Sequence, residues 1–587
     1  MTRKVRIQCG SLCYEKAVSK FLLSLACFGL ISQTQAHGHI FTIRNTHDTT
    51  GEGSLRGAII AANSRGGNNT ILLPKGTYRL TIPGPDEAAA RSGDLDITRG
   101  RLAIVGVSAS KVIIDAGGLG DRVFHVWPGA QLALDDITIS GGTASGGQSG
   151  GGIFNAGHLW LYRCVVRSNY TTMGVGGFVG GTGGHGAGIY NTGWLMLDLC
   201  TVLENATAGG GAGDFGPNDL SPTNRGPGGV GGSGAGICNV GTLTVNRCTI
   251  SRNSTGAGGM GGASAGFGNW GNVGGKAGDG GGLYNAGTVI VNSSTLDGNL
   301  TGIGGWGGGG YTIQINDDWF ICTGGGKGGN GGDGAGIYNT RDLILDTCTI
   351  SGNTNGNGGG AACDGLGGDG GNGAIYSGGW LRVTSCTVSA NRGGDGGLGY
   401  SFFGDFTQGR GGDAGVVNAT KGAYASVRNS LIALNTAGVG FGIINCDPLT
   451  GCWPPSPVPD TTGSFTSLGY NLIGWGGGST GLTNGVNGDL VGTGTTPLNP
   501  LLGSLQDNGG PTLTHALLPG SPAIDQGKSF GQSTDQRGRH RPHDFPSIPN
   551  APGGDGSDIG PFELDRSSSN TRTMAGRDDS LATPGDK

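Results

Sequence analysis

The chain contains a repeated unit whose length does not change. Six copies begin at equivalent positions, which are Asn155, Asn191, Asn239, Asn285, Asn339 and Ser377. A second asparagine follows 14 residues later in each copy, at Asn169, Asn205, Asn253, Asn299, Asn353 and Asn391. A weaker seventh copy surrounds Asn418 and Asn435. A unit of constant length predicts a repeat protein in which each copy stacks on the next.

Apolar residues alternate within each copy, as Leu195, Leu197, Cys200 and Val202 show. This two-residue period, broken by Gly and Asn, predicts short β-strands and contains no helical stripe. One copy cannot bury its apolar residues alone, but copies stacked at about 4.8 Å pair their backbones with the copies above and below. The sequence therefore predicts an all-β chain folded as a parallel β-solenoid, with Asn and Gly at its left-handed corners.

One repeated position holds cysteine in five copies and Ser294 in another; the cysteines are Cys164, Cys200, Cys248, Cys348 and Cys386. Their shared position predicts a ladder of small buried thiols that do not form disulfides with one another. The six second asparagines are likewise expected to form a stacked ladder. Thiols one coil apart do not offer the tetrahedral geometry of zinc. The pairing of Cys238, Cys322 and Cys363 stays open, and Cys446 and Cys452 could close a local loop.

Glycine accounts for 132 of the 587 residues, about 22% against a usual share of about 7%. Much of it lies in inserts between copies, such as 206–234, 254–280 and 300–334. Because each insert leaves the coil at the same corner, the inserts should share one side of the solenoid. They are either flexible loops or an ordered apron of extended glycine strands with three residues per turn.

Residues 1–36 have the features of a secretory signal peptide. Basic residues precede an apolar run from Phe21 to Ile31, and Thr34-Gln35-Ala36 resembles a cleavage site. No stretch approaches the roughly 20 apolar residues of a membrane span. Net charge is −5 without a dense basic block after the N-terminal region, which argues against nucleic-acid binding. We expect a secreted or cell-surface protein.

Two terminal segments resemble known families. T-G-E-G-S-L-R-G-A-I-I-A-A-N-S (50–64) and G-D-L-D-I-T (93–98) resemble the opening of secreted bacterial β-helix proteins of the CSLREA group, although Gly53 and Gly57 depart from the motif. N-P-L-L-G-S-L-Q-D-N-G-G-P (499–511), T-D-Q-R-G and D-I-G-P-F-E are similar to the choice-of-anchor Q domain. The resemblance covers about residues 41–565. It implies a right-handed parallel β-helix of the pectin-lyase-like, polymorphic outer membrane protein-like type, but no single chemistry.

Five segments follow from these observations: a signal peptide (1–36), an N-terminal cap with the first coils (37–131), repeats with inserts (132–445), C-terminal coils with a closing cap (446–565) and a disordered tail (566–587). The run Leu55 to Ala62 is compatible with a helix that covers the N-terminal opening. Residues 499–565 are expected to wrap the other end.

Candidate catalytic residues are acidic, because glycosidases need an acid and a base and lyases need a base. The densest set contains Asp94, Asp96, Asp115, Asp135 and Asp136, with Arg122 and His125 nearby. Asp94, Asp96, Asp135 and Asp136 are the alternative catalytic group; the favoured interpretation is that they serve the cap and a strand start.

Two further acidic segments favour structural roles. G-G-N-G-G-D (328–333) matches the start of a calcium-binding repeat, a match expected by chance at this glycine content. The closing segment carries charged residues that could hold a cation or pair with one another, namely Asp507, Asp525, Asp535, Arg537, Asp558 and Glu563. We predict no metal and no cofactor.

The favoured function is therefore non-catalytic: adhesion, envelope structure or ligand display, with polysaccharide or another cell surface as partner. Trp270, Trp306 and Trp319, on or near inserts, could serve as apolar platforms. The alternative is a polysaccharide lyase or glycoside hydrolase on the same fold.

Overall fold

Three long parallel sheets form the body of the protein. The computed structural model describes residues 38–565 apart from 85–86, 214–225, 264–270, 317–318, 401–405, 421–422 and 441–458. The signal segment, the tail, Cys446, Cys452 and Trp270 lie outside the described residues. Each coil contributes one strand to each sheet, and the chain passes from sheet 1 to sheet 2 to sheet 3. The fold is a right-handed parallel β-helix, which confirms the predicted class.

The strands of the three sheets stack in register along the axis. Sheet 1 contains Leu95–Ile97, Phe124–Val126, Ile153–Asn155, Ile189–Asn191, Ile237–Asn239, Leu283–Asn285, Ile337–Asn339, Ile375–Ser377, Val416–Asn418, Thr461–Ser464 and Gly478–Thr480. Sheet 2 contains His39–Thr42, Asn68–Leu72, Arg101–Val105, Gln131–Asp135, His158–Tyr162, Trp194–Asp198, Thr242–Asn246, Thr288–Asn292, Asp342–Asp346, Trp380–Thr384, Ala425–Arg428 and Thr466–Ser467. Sheet 3 contains Gly76–Arg79, Val112–Asp115, Thr138–Ser140, Val165–Arg167, Thr201–Leu203, Thr249–Ser251, Thr295–Asp297, Thr349–Ser351, Thr387–Ser389, Leu431–Ala433, Leu472–Ile473 and Leu490–Val491. Four two-stranded sheets add Thr143–Ala144 with Tyr170–Thr171, Tyr311–Asn316 with Trp319–Thr323, Leu398–Tyr400 with Phe406–Gln408, and Leu502–Gln506 with Thr514–Leu517.

Apolar side chains from the three sheets fill a narrow core. Leu195, Leu197 and Val202 are fully buried there. The coils turn at residues with positive φ, but these are not the repeated asparagines. In one coil they are Leu199, with φ 55°, and Glu204, with φ 54°. Glycine supplies other corners, as at Gly298 and Gly352, and Asn429 also has positive φ. The expectation is wrong only for the repeated asparagines, because their side chains serve the interior.

A helix at Leu55–Arg65 packs at the start of the β-helix, three residues longer than the apolar run. The Ser54 hydroxyl caps it by accepting a hydrogen bond from Gly57 N at 3.1 Å. Arg56 is fully buried and pairs with Asp48 at 2.6 Å. Arg56 also donates to the carbonyl of Gly93 at 2.8 Å, so the helix is bound to the loop that leads into sheet 1.

The closing segment packs along the outer face of sheet 3 and reaches far back along the coils. Thr295 Oγ1 donates to the carbonyl of Leu513 at 2.6 Å, and Thr349 Oγ1 donates to Gln536 Oε1 at 2.7 Å. A second apolar cluster lies beneath this segment and joins Leu431 to Phe562. The segment thus covers the flank of several coils, which differs from the end-wrapping role expected from its sequence.

The glycine inserts form an ordered two-layer sandwich on one side of the β-helix. Each insert leaves after sheet 3 in an outgoing limb and comes back to sheet 1 in a returning limb; 300–309 and 324–334 are one such pair. Gly304 N and Gly307 N donate to the next outgoing limb, each at 2.9 Å. Gly305 N instead donates across to the returning limb at Gly275 O, also at 2.9 Å. The hydrogen bonds between limbs of successive inserts confirm that the inserts lie on one side of the β-helix. Their three-residue period favours an ordered apron over flexible loops.

A disulfide joins two neighbouring inserts. Cys322, in the hairpin of one insert, is bonded to Cys363 at the end of the next outgoing limb. Cys238 is a buried free thiol. Within the described residues, no helix has both the length and the apolar character needed to cross a bilayer.

Candidate functional site

The five repeated cysteines form a buried, unbridged line in the core. Cys164 N donates to Cys200 Sγ at 3.4 Å, and Cys200 N donates to Cys248 Sγ at 3.3 Å. Burial raises the pKa of Cys164 and Cys200 well above the ordinary thiol value. Such thiols stay protonated and unreactive, so their geometry is that of packing groups.

The six second asparagines form a second buried line. Asn253 Oδ1 accepts hydrogen bonds from the backbone N–H of Asn205 at 3.1 Å and from its side-chain amide at 2.9 Å. Asn253 Nδ2 donates to Asn299 Oδ1 at 2.9 Å and to the Val202 carbonyl at 3.1 Å. The ladder provides hydrogen-bond partners for backbone N–H and carbonyl groups at the corner where the chain leaves sheet 3 for the inserts.

Two of every three positions in a well-packed limb are closed to side chains. A Cβ on Gly304 would overlap the carbonyl of Gly329, and one on Gly305 would overlap the carbonyl of Gly259. The third position is open: Ile303 is 53% and Trp306 is 49% exposed. The sandwich therefore displays one side chain per triplet on its two outer faces.

The outgoing layer presents a largely apolar outer face. Its exposed apolar side chains include Tyr170, Met173, Met260, Leu300, Ile303, Trp306 and Leu398, and Asn357 and the ion pair of Arg392 with Asp395 lie on the same face. Trp306, one of the three predicted platforms, lies against Gly360. Trp319 begins the second strand of its hairpin.

The returning layer presents a mainly polar outer face, on which Val230, Val273 and Leu366 are also exposed. Its third positions include Lys276, Asp279, Lys327, Asn330, Asp333, Asp369, Asn372, Arg410 and Asp413. Asp333 N donates to Asp279 Oδ1 at 2.8 Å, and Asn372 N donates to Asp333 Oδ1 at 2.7 Å. Lys276 Nζ lies 2.8 Å from Asp279 and 2.9 Å from Asp333. Burial by itself would lower the pKa of Lys276, but the two carboxylates raise it above its ordinary value.

A line of aromatic side chains runs along the outer face of sheet 1, beside this polar face. Tyr284, Tyr338 and Tyr376 stack with ring centroids 5.3 and 5.1 Å apart. Phe154 and Tyr190 stack in the same row at 5.3 Å, and Cys238 interrupts it between Tyr190 and Tyr284. Lys276 Nζ lies 5.5 Å from the ring centroid of Tyr338, which joins the row to the returning layer.

The tyrosine hydroxyls, rather than the ring faces, are what this row offers to a ligand. Each ring face of Tyr338 is covered by a neighbour, and all three rings are half-buried. Burial raises the pKa of both Tyr284 and Tyr338, and for Tyr338 the charge of Asp279 is the next largest cause. The hydroxyls therefore remain neutral donors. Sequence reasoning missed this row, although the residue before the first position of the repeat is aromatic in five of the six copies.

The acidic candidates separate into two places. Asp94 and Asp96 meet His125 and Arg122 at the start of sheet 1, where His125 Nδ1 lies 3.6 Å from Asp96 Oδ1 and Arg122 lies 3.5 Å from Asp94. Trp127 Nε1 donates to Asp96 Oδ1 at 2.7 Å. The side chains of Asp94 and Asp96 are only 6% and 1% exposed, so a polymer has little access to them.

Burial dominates the electrostatics of this cluster. It raises the pKa of Asp96 to about 6, against the opposing hydrogen bond from Trp127. Burial, followed by the charges of Asp96 and Asp121, raises the pKa of Asp94 well above its ordinary value. Burial and the charge of Arg122 lower the pKa of His125 to about 4.

Asp135 and Asp136 lie apart from that cluster, at the turn after a sheet 2 strand. Arg163 pairs with Asp135 at 2.8 Å and with Asp136 at 2.7 Å. Burial raises the pKa of Asp135 to about 7, although Arg163 lowers it. Asp115 pairs with Arg79 at 3.2 Å. The structure therefore does not bring the four alternative catalytic carboxylates together.

The remaining acidic candidates have structural partners. In the closing segment, Arg541 pairs with Glu563 at 2.7 Å and Arg537 with Asp535 at 2.7 Å, all four buried. Asp558 Oδ1 accepts from Asp525 N at 2.9 Å, while Asp507 caps a turn by accepting from Gly509 N at 2.8 Å. Residues 328–333 belong to a returning limb.

The polar face should give a pH-dependent contribution to stability through Asp279. Burial raises its pKa from 3.8 to about 6 despite Lys276; Asp333, Tyr284 and Tyr338 are its other titratable neighbours. Because the folded pKa is the higher one, the contribution is full below about pH 4 and is lost as pH rises through 6. We expect the free energy of unfolding of the native chain, relative to Asp279→Asn, to fall by about 3 kcal/mol between pH 4 and pH 7.

Urea unfolding of both proteins at several pH values checks this expectation. Asp369→Asn, on the same face but with a 41% exposed side chain, is the matched control and should show a flatter difference. A difference for Asp279→Asn that is constant or grows with pH would contradict the assignment.

The fold is a parallel β-helix that carries an ordered insert sandwich on one side. No family model and no curated protein matches the sequence. The chain is similar to the solved structure of a pectate lyase, with 13% identity and a TM-score of 0.33 over 91% of this chain and 98% of that one. It is also similar to a pectin methylesterase variant in complex with a hexasaccharide, with 10% identity and a TM-score of 0.22 over 77% and 92% of the two chains. Similarity at this level carries no functional inference, and the fold rests on the three parallel sheets.

Proposed function

We propose that the chain is a non-catalytic β-helix protein that binds an extended polysaccharide, for adhesion or ligand display. The observation that carries the proposal is the tyrosine row beside the polar face of the returning layer. Its hydroxyls recur at the coil spacing, with ring centroids 5.1 to 5.3 Å apart. A repeating polymer that lies along the axis would meet the same donor on successive coils.

The chemistry of the row suits a sugar polymer. The hydroxyls of Tyr284, Tyr338 and Tyr376 are not hydrogen-bonded within the described chain, so they are free to bond to a ligand. Carboxylate, amide and ammonium groups flank them on the returning layer, and binding sites for polar ligands combine aromatic surface with a few placed polar groups. The buried, ion-paired state of the acidic candidates supports binding over cleavage.

The test removes two tyrosine hydroxyls of the row and keeps the stacked rings. Tyr338→Phe with Tyr376→Phe should weaken binding to the best polysaccharide of a uronate-containing and neutral panel by about tenfold, since each hydrogen bond contributes roughly 0.5–1.5 kcal/mol. Affinity electrophoresis and calorimetry measure the binding. The matched control, Tyr170→Phe on the opposite outer face, should bind as the native chain does.

The same samples test the enzyme alternative. Unsaturated products and new reducing ends should stay at background, with and without calcium. Unchanged binding in the double variant would reject the tyrosine row as the site. Turnover that disappears on replacing Asp94, Asp96, Asp135 or Asp136 would instead favour a lyase or hydrolase.

We also propose that the chain is exported and belongs to the CSLREA and choice-of-anchor Q group that its terminal segments resemble. The disulfide between Cys322 and Cys363 supports export, because structural disulfides persist in oxidising compartments. N-terminal sequencing of protein recovered from producing cells should give a mature start at His37. A cytoplasmic chain that retains Met1 would contradict export.

A further inference from the structure

Three potential ligand groups converge where sheet 1 begins. Asp94 and Asp96 lie at the first strand of the sheet, and His125 lies on the second strand, directly beside Asp96. One donor atom from each of the three residues lies within 4.8 Å of the other two. Two successive coils therefore supply two carboxylates and one imidazole to a single point.

One of these carboxylates has an unsatisfied oxygen. Asp96 is 1% exposed, and its Oδ2 atom has no hydrogen-bond partner, although Oδ1 accepts from Trp127. A buried carboxylate oxygen without a partner is costly, because its desolvation is not compensated. A cation bound by both oxygens of this carboxylate would provide the missing interaction.

The charge around the point also favours a cation. The carboxylate of Asp121 accepts from Asp94 N at 3.1 Å, so it is a third carboxylate near this point, while the guanidinium of Arg122 pairs with Asp94. Arg122 does not interact with Asp94 alone, since its Nη2 atom donates a hydrogen bond to Gln148 Oε1 at 2.7 Å.

We propose that Asp94, Asp96 and His125 bind one divalent transition-metal ion of the zinc class, which links the first two strands of sheet 1. Zinc accepts imidazole nitrogen and carboxylate oxygen at about 2.0–2.2 Å, commonly as three protein ligands with a water. Calcium, in contrast, takes oxygen ligands only. The three donor atoms lie within 4.8 Å of one another, so binding one ion requires them to move closer together. His125 lies in the same row of sheet 1, four coils before Tyr284, so the site does not include the tyrosines proposed to bind polysaccharide.

The experiment uses the full chain, freed of metal by a chelator and then titrated with zinc. Equilibrium dialysis with elemental analysis should give one zinc ion per chain, and zinc should raise the thermal midpoint. We expect affinity to fall at least tenfold in Asp96→Asn and in His125→Gln. The matched controls are His158→Gln and Asp342→Asn, both on sheet 2 in later coils, and they should bind as the native chain does.

Circular dichroism shows whether each variant is folded, and cobalt substitution of the native chain gives a readout that needs no variant. Visible bands of a four- or five-coordinate cobalt site with nitrogen and oxygen ligands are expected, without thiolate charge transfer. Absence of zinc binding would overturn the proposal. So would zinc affinity that both variants retain, or binding of calcium in preference to zinc.

Discussion

Replacing Gly305 with alanine should destabilise the insert sandwich by about 2–3 kcal/mol, the cost of overpacking a closed site. A Cβ at this position would overlap the backbone carbonyl of Gly259 in the neighbouring limb. That carbonyl belongs to backbone and not to the end of a flexible side chain, so the limb itself must move. Gly305 N donates to Gly275 O at 2.9 Å, and Gly305 O accepts from Gly329 N at 2.8 Å. Displacement should therefore reach both layers.

Hydrogen exchange localises the effect and thermal unfolding measures its size. Amides at Gly275, Gly305 and Gly329 should lose protection, while the three sheets keep theirs. Gly309→Ala is the matched control in the same limb, because a Cβ there would lie 3.9 Å from Ala263 Cβ, an ordinary contact. It should be neutral or slightly stabilising. Equal losses in the two variants would show that the three-residue period does not decide where glycine is needed.

The second large effect is expected at the asparagine ladder. Asn253→Ala should lower the free energy of unfolding by about 3–5 kcal/mol, because it leaves a cavity and several buried groups without partners. Asn205 would lose the acceptor of both its backbone N–H and its side-chain amide. The Val202 carbonyl would lose a donor as well. Chemical unfolding measures the loss.

Asn246→Ala provides the comparison within the same coil. Asn246 lies on the outer face of sheet 2, partly exposed, and accepts one hydrogen bond from Asn292 Nδ2 at 2.9 Å. Its replacement should cost at most about 1 kcal/mol. A loss at Asn246 as large as that at Asn253 would mean that the buried ladder contributes no more than a surface pair.

The repeat made the coil body predictable from sequence alone. Leu195, Leu197, Cys200 and Val202 alternate in a pattern that admits only a stacked strand, and equal lengths force equivalent residues into register. The same logic predicted that the inserts lie on one side of the β-helix, since all of them leave the coil at the same corner. It failed only for the repeated asparagines, since Leu199 and Glu204 take the left-handed conformation in their place, because burial of the asparagine amide outweighs its turn preference.

Tertiary structure alone decided which distant residues meet. Asp94 and His125 converge because they lie on successive coils, whereas Asp135 turns to Arg163 elsewhere, and nothing in their spacing separates the two outcomes. The path of residues 499–565 along sheet 3 was equally hidden, since it depends on side-chain contacts such as that of Thr349 with Gln536. The two-residue alternation of apolar residues in the sequence determines which side chains a coil buries. Only the stacking of coils determines which of the remaining groups become neighbours.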